Sequence, residues 1–282
     1  MNRLYVASRS LLALLGWLAA FGAIAQVAAP EQAPYLGQPG KDVIWLPAEL
    51  VMVEKMLDLA RVTPADTVVD LGSGDGRTVI GAAKRGARAI GVELDPGLLA
   101  VSRGAAEREG VAARASFVEQ DLFEFDLSQA NVITLFLLDT INMSLRPKLL
   151  GLAPGTRLVS NTFTMGAWAH DEEIRDGSRP VCNFNCIAYL WVVPANAEGV
   201  WRSPQGTLTL KQQFQMLTGT LEADGNQVPV AGRMRGGEIR LSIRGGEYAG
   251  RVNGDSIEGA LEAAGVRSAW SARRVEAGAA IR

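Results

Sequence analysis

The chain has 282 residues, 48% apolar and 21% charged, a balance that supports packed cores and excludes wholesale disorder. Its formal net charge is −2 and it carries no long lysine or arginine run, so there is no strong nucleic-acid signal. A single histidine, His170, excludes a multi-histidine metal site, and the lone C-x3-C pair of Cys182 and Cys186 falls short of a structural zinc ligand set. In an exported protein the pair would form a local disulfide; in a cytosolic one it would be two buried thiols.

The N-terminus has the layout of a targeting segment. "MNRLYVASR" holds Arg3 and Arg9, residues 11–25 are apolar and uncharged, and "AIA" precedes Gln26 as a small-x-small cleavage signal. The apolar run is shorter than the roughly 20 residues of a spanning helix. Residues 1–25 are therefore a signal peptide, or else an uncleaved anchor. In both cases the basic residues stay inside and the remainder lies outside the cytoplasm. The expected location is exported, periplasmic or membrane-anchored, with membrane contact only through residues 1–25. Residues 26–41, rich in proline and glycine and without periodicity, are a linker.

"LPAELVMVEKMLDLARV" predicts a helix with Leu50, Val53, Met56, Leu57 and Ala60 on one face. From Asp66 strands and helices alternate. "TVVDL", "ARAIGVEL", "RASFVEQ", "NVITLFLL" and "GTRLVSNTF" are strands, the fourth apolar enough to be central. "RTVIGAAKRG" is a helix, and "DPGLLAVSRGAAEREG" is another with Asp95 as N-cap and Pro96 in its first turn. "TINMSLRPKLLGL" is a helix that Pro147 divides into two pieces. This alternation predicts an α/β domain over residues 42–196, with a parallel sheet and right-handed crossovers.

Residues 197–282 have a different texture. Short β runs are broken by Asp224-Gly225, Gly236-Gly237, Gly245-Gly246 and Asn253-Gly254, with Leu208 and Leu210, then Ile239, Leu241 and Ile243, alternating. They predict a small antiparallel all-β module, a meander closed as a barrel or sandwich.

The glycine loop "VVDLGSGDGR" links the first predicted strand to the first helix of the alternation. Its glycines are Gly72, Gly74 and Gly76, and Arg77 stands where a dinucleotide fingerprint needs its third glycine. Asp70 and Asp75 would repel a pyrophosphate. They suit a cationic cofactor without phosphate, such as S-adenosyl-L-methionine. Glu93, at the end of the second strand, is positioned for ribose hydroxyls. Asp121, after the third, is positioned for an adenine amino group, with Leu122 against the ring. Singly, each has a plainer explanation: Asp75 as a helix N-cap, Glu93 as a solvated strand end. In order, at the ends of successive strands, they describe one pocket.

The run "VVDLGSGDGRTVIGAAKRGARAIGVELDPGLLAVSR" closely resembles class I S-adenosylmethionine-dependent methyltransferases. With the upstream "VIWLP" and the "DLF" after the third strand, it is most similar to the group that includes the ATP synthase c-subunit lysine N-methyltransferase. The resemblance covers residues 42–168 and implies a seven-stranded, Rossmann-like class I sheet with flanking helices. It implies S-adenosyl-L-methionine as cofactor and, for the acceptor, a protein substrate with a lysine side chain. The cofactor-binding set is then Asp70, Gly72, Ser73, Gly74, Asp75, Gly76, Glu93, Leu94, Asp121 and Leu122. In "VIWLP", Trp45 is either a core side chain or a surface near the methionine or the acceptor.

No catalytic residue is assigned. Asp139, Asn142 and Asn161 stand where an acceptor would enter, or Asp139 and Asn142 cap the following helix. The Asn-Pro-Pro-Tyr tetrad of base methylases is absent, which argues against nucleic-acid bases. The alternative function is an exported, non-catalytic binding or structural protein on a methyltransferase scaffold, motivated by the signal segment, because S-adenosylmethionine is made in the cytosol.

Overall fold

The computed structural model describes residues 34–40, 43–177, 186–277 and 281, all within the compact unit Ala33–Arg282. Eleven elements build its α/β part: α1 (Leu50–Leu59), β1 (Thr67–Leu71), α2 (Arg77–Lys84), β2 (Arg88–Glu93), α3 (Pro96–Arg108), β3 (Ala115–Glu119), β4 (Val132–Leu135), α4 (Asp139–Leu150), β5 (Arg157–Asn161), β6 (Glu172–Arg175) and β7 (Ile187–Val192). The sheet order is β3-β2-β1-β4-β5-β7-β6. Strands β1 to β5 are parallel, and β7 runs antiparallel to both β5 and β6.

The order reverses between β1 and β4, so the connections leaving their C-terminal ends diverge and open a crevice there. Two apolar layers cover the sheet. One joins α1 and α2 to Val68, Val132 and Val159; the other joins α4 to Val69, Ile133 and Leu158. Alternate residues of β1, β4 and β5 thus face opposite layers, which explains their near-continuous hydrophobicity.

Local signals hold in most places. The Asp95 side chain accepts from the backbone N–H groups of Gly97 and Leu98 at 2.8 and 3.1 Å, with Pro96 as the first helical residue. Two expectations need correction. Leu50 is 65% exposed at the start of α1, and Met52 fills the buried face instead. Pro147 does not divide α4; it lies in the last turn, where few further backbone bonds depend on it. Residue patterning also missed β6 and β7, which complete the seven strands implied by the resemblance.

The C-terminal part is a closed eight-stranded antiparallel barrel: β8 (Gly199–Ser203), β9 (Gly206–Gln213), β10 (Met216–Ala223), β11 (Asn226–Arg235), β12 (Glu238–Ile243), β13 (Gly246–Asn253), β14 (Ser256–Ala263) and β15 (Val266–Ala277). Each strand pairs with the next across a two-residue turn, and β15 pairs back to β8. Asp224-Gly225, Arg244-Gly245 and Ala264-Gly265 all have positive φ, as the favoured tight hairpin turn requires. Two turns are shifted by one residue from the sequence reading, to Arg244-Gly245 and Gly254-Asp255. Leu208, Leu210, Ile239, Leu241 and Ile243 point inward and pack with Trp201 and Trp270, so side chains fill the barrel.

The barrel is joined to the sheet side by specific contacts. Phe214 stacks on Trp168, ring centroids 6.0 Å apart. The Gln215 side chain donates to the Ala169 carbonyl at 2.6 Å, and Arg233 pairs with Asp171 at 2.6 Å. Arg235 pairs with Glu172, and the Ala195 N–H donates to the Gly236 carbonyl. Cys186 is disulfide-bonded; Cys182 lies outside the described residues. No helix among the described residues is long and apolar enough to cross a membrane.

Candidate cofactor site

Two cavities meet in the crevice. The first is lined by Gln38, Trp45, Glu93, Leu94, Gln120, Leu122, Leu137 and Ile141, among others. The second includes Asp70, Ser73, Gly74, Asp75, Thr78 and Met56. Trp45, Leu46, Gly72 and Phe136 line both, so the two are compartments of one site. Among the described residues none beyond Ile141 lines either cavity, and those of the barrel contribute nothing to their walls.

The loop after β1 makes the close approach possible. Gly72, Gly74 and Gly76 have φ of 75°, 53° and 81°, the left-handed region that favours glycine. A Cβ on Gly74 would come within 2.6 Å of the Trp45 indole nitrogen, and one on Gly72 within 3.1 Å of Leu137. Gly76 has a different use. It lines neither cavity, and its added Cβ would meet Phe117 and Ser102 at 2.7 Å, so it lets the start of α2 pack against β3 and α3.

Glu93 organises this loop. Its carboxylate accepts from the backbone N–H groups of Gly74 at 2.9 Å, Leu94 at 2.8 Å and Asp95 at 3.1 Å. A carboxylate has further acceptor capacity, which here faces the first cavity. Asp70 is buried at the end of β1, where Thr134 donates to it at 2.6 Å. Burial, with smaller pushes from Glu93 and Asp75, raises its carboxyl to about 7 against the lowering effect of the Thr134 bond.

The remaining predicted residues divide. Leu94 and Leu122 line the first cavity. Asp121 stands between two residues of the wall, Gln120 and Leu122, and its carboxylate accepts from the Phe123 N–H at 2.9 Å. Asp75 is no N-cap, a position held by Gly76; it pairs with Arg77 at 2.6 Å and lines the second cavity. Ser73 lines that cavity too, but its side chain lies over Gly91, where an added Cβ would meet its Oγ at 2.6 Å. The Ser73 hydroxyl is buried without a partner among the described residues.

The cover of the site is the segment before α1. The Trp45 N–H donates to the Gln38 carbonyl and the Trp45 carbonyl accepts from the Gly37 N–H, both at 3.0 Å, beside a bridge between Pro39 and Ile44. The Gln38 side chain donates to Asp95 at 2.6 Å, and the Arg77 guanidinium donates to the Ala48 carbonyl at 2.6 Å. Trp45 is half-buried and lines both cavities, so it is a site residue and not a core tryptophan.

Asp139 and Asn142 line neither cavity and cap no helix through their side chains. Asp139 accepts from the backbone N–H and hydroxyl of Thr164 at 2.5 and 2.7 Å. Asn142 is buried and donates to Ser160 Oγ at 3.2 Å and to the Thr164 carbonyl at 3.3 Å. Both hold the loop after β5, which carries Phe163; its ring centroid is 6.0 Å from that of Phe136. Asn161 is buried at the end of β5 and accepts from the Thr162 hydroxyl at 3.2 Å. Gln38, Gln120, Phe136, Leu137 and Ile141 were missed as site residues. The available signal was the apolar run "NVITLFLL", whose Phe136 and Leu137 extend past the end of β4.

These residues fit S-adenosylmethionine. The glycine cradle admits a ligand against the backbone, Glu93 offers acceptor capacity beside an apolar slot formed by Leu94, Leu122 and Ile141, and Asp70 offers a carboxylate to a cation.

Residues 70–172 match the ANTKMT methyltransferase domain. The chain is 41% identical over 156 residues to a protein-lysine N-methyltransferase of Saccharolobus islandicus, spanning 54% of this chain and 94% of that protein. It is 34% identical over 146 residues to the human ATP synthase c-subunit lysine N-methyltransferase, spanning 51% of this chain and 62% of that one. A solved RNA methyltransferase from Salinibacter ruber in complex with S-adenosyl-L-homocysteine is 42% identical, with a TM-score of 0.50; the match covers 54% of this chain and 95% of that chain.

Proposed function

Because the chain belongs to the ANTKMT family of methyltransferases and is an S-adenosylmethionine-dependent methyltransferase, we propose that its acceptor is the side-chain amine of a lysine in a protein. The observation that carries this reading is the pair of joined cavities, which share Trp45 and Phe136 and contain Asp70, Asp75 and Glu93. Such walls suit a cation and then its desolvated amine. They oppose a polyanion, as does the chain's net charge of −2, which counts against RNA despite the name of the Salinibacter relative.

When bound, S-adenosylmethionine supplies an activated methyl group on a sulfonium. Glu93 would hold the ribose hydroxyls, Asp70 the ammonium, and Gly72 and Gly74 the backbone-facing side of the ligand. Ser73, Asp75, Leu94 and Leu122 would complete the walls, and Asp121, between the wall residues Gln120 and Leu122, would accept from the adenine amino group; Gly76 acts on local structure. The aromatic walls at Trp45 and Phe136 exclude water and favour the neutral amine that displacement requires. Alignment and desolvation carry the chemistry, and no side chain is required as a base.

Two relatives are named as protein-lysine methyltransferases, which supports a protein acceptor. Nothing supports the non-catalytic alternative. For location, we propose an exported protein, periplasmic or anchored by residues 1–25. The basic-then-apolar N-terminus and the disulfide at Cys186 support it, since disulfides persist in oxidising compartments.

The test is transfer of labelled methyl groups from S-adenosylmethionine by the full chain to cell extract, followed by protease or ribonuclease digestion and mass spectrometry. Methyl-lysine in a protein is expected; label that ribonuclease removes would overturn the acceptor. Cell fractionation with mass determination of the N-terminus tests the location, and an intact chain in the cytosol would sink it.

A further inference from the structure

Five of the thirteen large apolar side chains exposed among the described residues fall between positions 35 and 50: Tyr35 at 57%, Leu36 at 67%, Ile44 at 55%, Leu46 at 45% and Leu50 at 65%. All belong to the cover segment or the start of α1. Ile44 and Leu46 line the first cavity, and Leu94, 38% exposed, lines it from the β2 side. Ile44, Leu46 and Leu94 thus give the mouth of the cofactor site an apolar border, and Tyr35, Leu36 and Leu50 extend the exposed apolar surface along the same cover segment and the start of α1. A concentration of this kind marks a surface that is covered in use.

The preceding chain points to what covers it. Residues 11–25 are apolar and uncharged, and only nine residues, 26–34, separate them from Tyr35. Fully extended, nine residues reach about 30 Å. A bilayer that takes up the apolar run thus holds the rim within that distance of its surface. Exposed leucine and tyrosine side chains are suited to the boundary between headgroups and acyl chains.

We propose that this rim is a second membrane contact: it docks on a phospholipid bilayer, so that the cofactor site opens at the membrane surface. The proposal revises the expectation that membrane contact is made only through residues 1–25. It rests on the reading of that segment as membrane-directing, and on the catalytic reading only for the purpose it serves. An acceptor lysine would then be met close to the headgroups.

The test is photocrosslinking of the full chain on phosphatidylcholine vesicles. A diazirine amino acid replaces Leu36, Leu50 or, as control, Val266 on the barrel, which is 67% exposed like Leu36. Each chain is tested untethered and, separately, held through a C-terminal hexahistidine on nickel-chelating lipid, a tether that favours the barrel. Retained binding of S-adenosylhomocysteine shows that each substituted chain is folded. Lipid adducts at Leu36 and Leu50 are expected at tenfold or more the yield at Val266 in both formats. Equal yields at the three positions in the tethered format overturn the proposal, as do protein–protein adducts at Leu36 and Leu50, which would mean that a second copy covers the rim. Labelling at the rim in the tethered format alone would show that residues 1–25 do not bring the chain to the bilayer, and it too would overturn the proposal. Neither outcome depends on methyl transfer, so failure of the acceptor reading is distinguishable.

Discussion

The carboxylate of Glu93 accepts a hydrogen bond from the backbone N–H of Gly74 at 2.9 Å, tying the end of β2 to the middle of the glycine loop. One side chain thus shapes the loop and offers acceptor capacity to a ligand beside it. Glu93→Gln keeps the size but loses the charge, and Glu93→Ala loses both. A hydrogen bond to a charged group contributes about 1.5–3 kcal/mol. Titration calorimetry with S-adenosylhomocysteine should read roughly a 10- to 100-fold loss of affinity, by the same scale. Unchanged affinity in Glu93→Ala would remove Glu93 from the site.

Asp70 predicts a pH dependence with a definite sign. Its carboxyl is raised from 3.8 to about 7 by burial. A bound cation favours the charged form, so affinity for S-adenosylmethionine should be flat above pH 7 and fall as pH drops below it, roughly tenfold per unit. For the ligand-free protein the sign is opposite. The native state holds its proton more tightly than the unfolded chain, so this stabilisation is full below pH 3.8 and is lost as pH rises through about 7. Asp70→Asn should abolish both dependences, and Thr134→Val should move the binding midpoint upward. A pH-independent affinity between pH 5.5 and 8.5 in the parent chain would refute the assignment; the range is about 1.5 units either side of 7.

Gly74 and Trp45 predict a coupled pair. An alanine at position 74 would have to accept φ of 53° and would place its Cβ 2.6 Å from the Trp45 indole nitrogen. The backbone part costs about 1–2 kcal/mol, and the indole must move as well. Gly74→Ala should therefore weaken cofactor binding strongly in the parent and less in a Trp45→Ala background. A double-mutant cycle reads the difference directly. Purely additive losses would mean that the cover does not bear on the loop.

Asp171 predicts how the barrel is held. Its side chain is 1% exposed and serves two partners, the Val192 N–H at 2.8 Å and the Arg233 guanidinium at 2.6 Å. Asp171→Ala leaves a buried backbone donor unpaired and should destabilise the protein by about 1–3 kcal/mol in urea unfolding. Arg233 is 44% exposed, so Arg233→Ala should cost well under half as much. Equal losses would mean that the ion pair, and not the backbone bond, dominates.

Most of the sheet was legible because its information is local. "TVVDL" and "NVITLFLL" are short apolar runs between turn signals, and Asp95-Pro96 marks a helix start that the structure reproduces. The loop glycines and the carboxylates at successive strand ends announced a pocket. Less legible were β6 and β7. The first is short and charged, and the second is an apolar run whose antiparallel direction is set by its pairing with β5.

The site divides along the same line. Asp70, Gly72, Gly74 and Glu93 could be named from sequence because they sit at strand ends and in a loop whose geometry demands their residue types. That Asp75 would pair with its neighbour Arg77 could not be read, because a carboxylate in a sequence carries no direction. Sequence by itself determined the alternation of elements and the turn-rich barrel, consequences of periodicity and backbone conformation, and the cofactor class, through the carboxylates around the glycine loop and the resemblance they carry. Only the tertiary structure decided that Trp45 covers the loop, that Phe136 is shared by two cavities and that Asp171 clasps the barrel, because those are meetings between distant segments, fixed by packing rather than by any local pattern.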